Sequence, residues 1–203
     1  MAGIYVHIPF CKQRCSYCDF HFSTSFASYR GRMVEAICKE ISSRRKELKD
    51  ETVNTIYFGG GTPSILQFEE FEKLFRSIAV NYPLAAEIEF TIEANPDDIS
   101  LENLRFWKQL GINRLSIGLQ SFRDRDLKWM NRAHSAEESL KCLKMAKDEG
   151  FSSLSVDLIY GLPEMSNEEW RQQIDIALEH DIEHFSAYCL TVEEGTLLSS
   201  EVK

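Results

Sequence analysis

Basic charge is scarce in this sequence: 23 lysines and arginines stand against 32 acidic residues, for a net charge of −9. That balance argues against nucleic acid as the partner, because proteins that grip a phosphate backbone carry a basic face; it leaves room for a local basic pocket around an anion. Long apolar runs are missing too. Nothing approaches the ~18 consecutive apolar residues that a bilayer-spanning helix needs, so an integral membrane protein is not expected. The start, Met1-Ala2-Gly3-Ile4-Tyr5, has no basic segment and apolar stretch leading to a small-residue cleavage site, which predicts a cytoplasmic protein. Repeats, low-complexity tracts and Pro/Ser linkers are also lacking. The 203 residues, 43% of them hydrophobic, are enough for a single domain with one sizeable core.

Cysteine is present, and its distribution is uneven. Three of the six cysteines, Cys11, Cys15 and Cys18, fall within eight residues. In a reducing compartment such crowding reads as metal binding rather than as a disulfide framework. Three soft thiolates in one loop suit iron–sulfur or zinc. A structural zinc wants four ligands, often in two paired knuckles, and there is no second pair; His21 as a fourth ligand would give a Cys3His zinc site. A cluster held by three cysteines instead leaves one iron with an open position, as a substrate-binding cluster requires.

Short apolar runs alternate with amphipathic stretches, the pattern of βα units and a parallel sheet. Strands are predicted over Gly3–Pro9, Val53–Phe58, Glu87–Glu93, Arg114–Gln120, Ser153–Ile159 and His184–Leu190. Helical spacing fills the intervals, with Phe26, Met33, Ile37 and Ile41 after the first strand and Phe68, Phe71, Phe75 and Ile78 after the second. Leu101, Leu104, Trp107 and Leu110 follow the third and stop at Gly111. Ser135 with Glu138, and Ser166 with Glu169, form capping boxes for the last two helices, the first of which Gly150 ends. Six units fall short of the eight that close a full barrel. The expected fold class is therefore α/β, a partial (β/α)6 TIM-type barrel, with a flavodoxin-like doubly wound sheet as the alternative. The chain stops soon after the sixth strand, at Thr196–Lys203, without an obvious final packed element, and reads as a piece of something longer.

In βα folds, sites gather where the strands end, because those loops share one face. Here the first strand runs into the cysteine loop and the second into Gly59-Gly60-Gly61-Thr62-Pro63. The third ends in Glu93-Ala94-Asn95-Pro96 and the fourth in Gln120-Ser121, while the fifth carries Asp157 and leads to Gly161-Leu162-Pro163. The triple glycine reads either as a plain turn or as a loop whose N–H groups approach a charged ligand unobstructed by Cβ atoms.

The run from Tyr5 through Cys11, Cys15 and Cys18 to Phe20 resembles the start of the coproporphyrinogen oxidase-like branch of the radical SAM family. Phe58-Gly-Gly-Gly-Thr-Pro63, Ile92-Glu-Ala-Asn-Pro96, Ser116-Ile-Gly-Leu-Gln-Ser-Phe122, Asn131-Arg132 and Asp157-Leu-Ile-Tyr-Gly-Leu-Pro163 follow in the same order. The resemblance spans nearly the whole chain, so residues 1–203 are expected to form one radical SAM core domain, without the family's C-terminal domain. It implies a [4Fe–4S] cluster on Cys11, Cys15 and Cys18 and S-adenosylmethionine (SAM) on the open iron. It implies SAM-flanking roles for Tyr5 and Tyr17, a methionine-holding loop at Gly60, Gly61 and Thr62, and a further contact at Glu93. Gln120, Arg132 and Asp157 resemble contacts to the nucleoside and carboxylate. A backbone contact near Tyr188 and Cys189 is also implied, in uncertain register. In that family the cofactors carry the chemistry, cleaving SAM to a radical that abstracts hydrogen, while the protein supplies position and a dry pocket.

Two functions share this core. One is oxygen-independent coproporphyrinogen III oxidation in porphyrin biosynthesis; the other is heme binding and delivery by a chaperone. The oxidases place a fourth cysteine where this chain has Phe20, and they carry a long segment before the first strand. The heme chaperones resemble this chain in Cys-Asp-Phe-His-Phe22 and in Tyr188-Cys-Leu-Thr-Val-Glu193. The resemblance favours a chaperone over a coproporphyrinogen dehydrogenase, and implies heme, a heme-accepting protein and an electron donor as partners. The chaperones' heme signature, a His-Asn followed by a Tyr-Trp, belongs to a C-terminal region outside these 203 residues. Among the other residues, Cys38 and Cys142 read as small core or surface thiols. Cys189 is open between packing and cofactor contact, and His134, His180 and His184 read as structural or surface residues. His7 reads as a hydrogen-bonded core histidine or an orienter of a ligand. The run Arg44-Arg45-Lys46 suits a solvated helix end.

Overall fold

The computed structural model describes residues 2–201. Six strands alternate with helices: β1 (Ala2–Ile8), α1 (Arg30–Ser43), β2 (Val53–Gly60), α2 (Phe68–Asn81), β3 (Leu84–Ala94) and α3 (Leu101–Leu110). They continue through β4 (Arg114–Gln120), α4 (Asp124–Trp129), α5 (Ala136–Asp148), β5 (Ser153–Tyr160), α6 (Asn167–Glu179), β6 (His184–Cys189) and α7 (Leu197–Glu201), with 3-10 turns at Pro63–Ile65 and Pro96–Asp98. All neighbouring strands are parallel, in the order 1-2-3-4-5-6. Right-handed crossovers that always step in one direction put every connecting helix on the same face. A doubly wound sheet would need its strand order to reverse. The order excludes that alternative and gives the partial (β/α)6 arrangement.

Alternation along the strands divides the two faces of the sheet. Val6 and Ile8, Ile56 and Phe58, Phe90 and Ile92, Leu115 and Ile117, and Leu154, Val156 and Leu158 are all buried against the helices. The helices answer with Phe71, Leu74, Ile78, Leu104, Trp107, Leu143 and Ala177, also buried. Each large apolar side chain so removed from water contributes about 1.5–3 kcal/mol, and this layer is the core. The residues between them on the strands are polar or small: Tyr5, Tyr57, Glu93, Ser116, Gly118 and Asp157. The opposite face is thus free to carry a site.

Local signals were obeyed where they are short-range. Gly111 caps α3 with φ +96°, and Gly150 follows α5 with φ +82°, conformations that cost other residues a steric penalty. Both expected capping boxes form, with Ser135 and Glu138, and Ser166 and Glu169, exchanging hydrogen bonds. Three departures have tertiary causes. Phe26 lies ahead of α1 rather than in it, its ring stacked 5.0 Å from that of Phe10, so it pins the cysteine-bearing loop instead of facing a helix. The short α4 was not expected, because its six residues hold too little periodicity to read. The final segment is packed after all: Leu198 in α7 is only 2% exposed.

Candidate functional site at the strand carboxyl ends

Residues 11–18 leave β1 without regular structure, so their order must come from contacts with other elements. Cys11 N–H donates to the Ser23 carbonyl at 3.1 Å, and Ser23 N–H to that of Pro9 at 2.9 Å, closing the base of the loop. Lys12 pairs with Asp97 and Asp98 just past β3, and buried Asp98 also accepts from the Ser64 hydroxyl at 2.6 Å. Ser16, itself buried, donates from its N–H to the Met130 carbonyl and from its hydroxyl to that of Trp129. On the other flank, Leu198 N–H donates to the Ser16 carbonyl at 2.9 Å, and Arg14 donates to that of Gly195 at 2.8 Å.

The three cysteines are free thiols, half-buried in this loop. Burial pushes the Cys11 thiol up to about 11, opposed by a hydrogen bond from the Thr62 hydroxyl at 3.4 Å; burial also raises Cys18. Binding a metal would displace these protons. Among the described residues, no three thiol, imidazole or carboxylate groups converge as a single ion requires. Thiolates on a four-iron cluster would each take a different iron.

Arg132 reaches the same loop from beyond α4. Its Nη1 donates to Cys15 Sγ at 3.3 Å, and its Nη2 to Asn95 Oδ1 at 2.8 Å and the Gly118 carbonyl at 2.7 Å. Its Nε is buried without an acceptor. A buried N–H left unpaired is costly, and on a guanidinium it favours an anionic partner.

The glycine loop holds its neighbours closely. A Cβ on Gly59 would stand 2.9 Å from the Tyr5 ring, one on Gly60 2.7 Å from the His7 ring, and one on Gly61 2.6 Å from the Phe10 carbonyl. The loop's N–H groups, however, are already committed: Gly60 N–H donates to Glu93 Oε2 at 3.0 Å and Gly61 N–H to the Ile8 carbonyl at 2.9 Å. The expectation that these N–H groups cradle a charged ligand is corrected accordingly. What this corner offers is acceptors, chiefly the carboxylate of Glu93, which also accepts from Tyr57 at 2.8 Å and keeps lone pairs to spare. That suits an ammonium group better than an anion. Burial raises the Glu93 carboxyl above its ordinary range, with the Tyr57 and Gly60 hydrogen bonds working against it.

The remaining expected residues are distributed around this centre. Tyr5 is 57% exposed, its ring stacked 5.9 Å from that of Tyr57 and its hydroxyl 3.1 Å from His7 Nδ1. His7 is exposed rather than in the core. Thr62 is buried between Cys11 and the Asn95 amide, so it positions a cysteine. Tyr17 packs against Leu127, Met130, Ile159 and Leu162, and burial raises its hydroxyl. Gln120 sits at a register shift closing β4, with φ +69°. A bulge of this kind re-aims a side chain, and a left-handed non-glycine residue costs energy that functional rims tend to carry. Asp157 lies inside the sheet beside Ser186, whose hydroxyl lowers its carboxyl while burial, the larger influence, raises it. Exposed Phe20 and half-buried Phe22 border a cavity of about 300 Å³ beside Cys18, together with Arg14 and Glu194.

The sequence expectations quoted Asn95 and Asn131 within motifs without giving either a role, and missed Gln13. They tie the site together, yet as amides in loops they carry no spacing signal of their own.

A one-directional parallel sheet with a three-cysteine loop at its carboxyl rim defines a class of (β/α)6 half barrels. The chain belongs to the Radical SAM superfamily, whose profile matches residues 5–177. It is 37% identical over 198 residues to the heme chaperone HemW of Bacillus subtilis, covering 97% of this chain and 52% of that protein. It is 35% identical over 203 residues to HemW of Escherichia coli, covering 98% and 53%. Among solved structures, coproporphyrinogen III oxidase HemN of Escherichia coli, a radical SAM enzyme, superposes with a TM-score of 0.88 at 28% identity, over 98% of this chain and 46% of that one. The chain spans about half the length of the curated relatives it matches. Among the described residues no helix is long and apolar enough to cross a membrane.

Proposed function

We propose that this chain is the radical SAM core of a heme chaperone-like protein, holding a [4Fe–4S] cluster on Cys11, Cys15 and Cys18 with SAM beside it. The observation that carries the cofactor half of the reading is the Arg132 guanidinium, bonded to the Cys15 sulfur with a buried Nε unpaired. An anionic group next to the cluster, such as the SAM carboxylate, would complete it. Glu93 with the Gly60–Gly61 corner would accept from the methionine ammonium, Tyr5 would flank the ligand on its open side, and Gln120 and Asp157 would face its nucleoside. When bound, cluster and SAM supply one-electron chemistry; the protein's own part is to hold and desolvate them.

The chaperone half rests on two supports. The relatives from Bacillus subtilis and Escherichia coli, at 37% and 35% identity, are heme chaperones, and Phe20 stands 67% exposed where the resemblance puts the oxidases' fourth cysteine. Heme, a heme-accepting protein and an electron donor are then the partners, and residues 1–203 are the core domain to which a heme-binding region would be joined. The test is anaerobic reconstitution followed by EPR of the reduced protein with and without SAM. A [4Fe–4S] signal that changes on adding SAM is expected; no such signal, or one indifferent to SAM, overturns the cofactor half. Incubation with coproporphyrinogen III, SAM and reductant is expected to give no vinyl product. Its appearance would overturn the chaperone half alone.

A further inference from the structure

Every residue from 129 to 132 hydrogen-bonds to the segment 13–16, more than a hundred positions away in sequence. Asn131 is the centre of this contact. Gln13 donates from Nε2 to both the Asn131 carbonyl, at 2.7 Å, and its Oδ1, at 2.9 Å; Asn131 returns a bond from Nδ2 to the Arg14 carbonyl at 2.7 Å. The Asn131 backbone is left-handed, φ +55°, a conformation that asparagine tolerates better than most residues. That turn lets Met130 before it meet Ser16 N–H and Arg132 after it meet Cys15 Sγ.

We infer that Asn131, with Gln13 as its counterpart, is a positioning residue that sets the cysteine loop against Arg132. Without it, the loop would keep its outer anchors at Cys11, Lys12 and Ser16 but would lose three bonds that fix residues 13 and 14 between them. The clamp holds the loop through the Arg14 carbonyl and the Gln13 side chain and touches none of its sulfurs. It therefore orders the thiols before any cofactor arrives, and it fixes the distance from the guanidinium to Cys15. This builds on the cofactor reading above, but its first measurement requires no cofactor.

The test compares Asn131→Gly, which keeps the left-handed turn and removes the side chain, with Gln13→Leu and the double variant. Hydrogen–deuterium exchange of the protein without cofactor is expected to speed up tenfold or more across residues 13–18 in either single variant, with β2–β5 unchanged. The double variant should exceed either single by less than the sum of the two effects, because Gln13 still reaches the residue-131 carbonyl in Asn131→Gly and Asn131 still reaches the Arg14 carbonyl in Gln13→Leu. After anaerobic reconstitution, the variants' cluster should show a weakened EPR response to SAM and a shifted midpoint potential; Asn131→Asp, which keeps Oδ1 and tolerates the turn, should recover part of both. Unchanged loop exchange in Asn131→Gly would overturn the inference, and so would additive effects in the double variant or a wild-type potential and SAM response. If the wild-type protein takes up no cluster, the cofactor reading fails, while the exchange data still judge the clamp.

Discussion

Arg132 donates to the sulfur of Cys15 across 3.3 Å while its Nε, in the same planar group, is buried without an acceptor. One side chain thus joins the cysteine loop to an unfilled demand for negative charge. Replacing it with lysine keeps the charge but loses the fork that reaches Cys15, Asn95 and Gly118 together. Calorimetry on reconstituted Arg132→Lys should show SAM binding weakened tenfold or more, since charge-assisted hydrogen bonds contribute about 1.5–3 kcal/mol. Wild-type affinity would remove Arg132 from the site.

Cysteine replacements should divide cleanly. Serine at Cys11, Cys15 or Cys18 is expected to bring reconstituted iron and sulfide close to zero. Serine at exposed Cys189, which is outside the loop, should leave both at the wild-type level. Elemental analysis with visible absorption checks the pattern, and loss of iron on replacing Cys189 would redraw the ligand set.

Gly61→Ala should disturb the site through sterics alone. Its Cβ would sit 2.6 Å from the Phe10 carbonyl oxygen, a backbone atom that cannot swing away. A loss of about 1–3 kcal/mol is expected in denaturant unfolding, as for other overpacked positions, together with poorer cluster retention. Gly31→Ala is the control: nothing lies within 4 Å of the new methyl in α1, and alanine there should be neutral or stabilising by up to about 1 kcal/mol.

His134 should make the fold sensitive to mild acid. Burial, reinforced by nearby Arg132, lowers its pKa from 6.5 to about 4 while the ring bonds the Leu119 carbonyl. The unfolded chain takes up the proton first, so this contribution is complete above pH 6.5 and is lost as pH falls towards 4, for about 3 kcal/mol in all. His134→Gln keeps an amide donor for Leu119 and should lack that part of the pH dependence. Parallel stability–pH curves for the two proteins would exclude the effect.

The legible part of this protein was whatever repeats or caps locally. Strand positions came through because buried β-branched and aromatic residues cluster between turns, and Ser135–Glu138 and Ser166–Glu169 carry their helix starts in four residues each. The cysteine loop was legible for the same reason. What escaped was set by partners distant in sequence. Phe26 kept a helical interval yet serves Phe10, and the glycine N–H groups looked available until Glu93 and Ile8 were seen to hold them. Asn131 and Gln13 acquire meaning only once the fold has placed them together.

The bond from Leu198 to Ser16 also has a consequence for assembly. It joins residues separated by almost the length of the chain, and α7 follows β6, so Ser16 gains this partner only after the sixth strand is in place. Contacts of such long range form late in folding. Until β6 and α7 have emerged and folded, the loop that carries the three thiols lacks one wall, so its surroundings are completed by residues about 180 positions downstream.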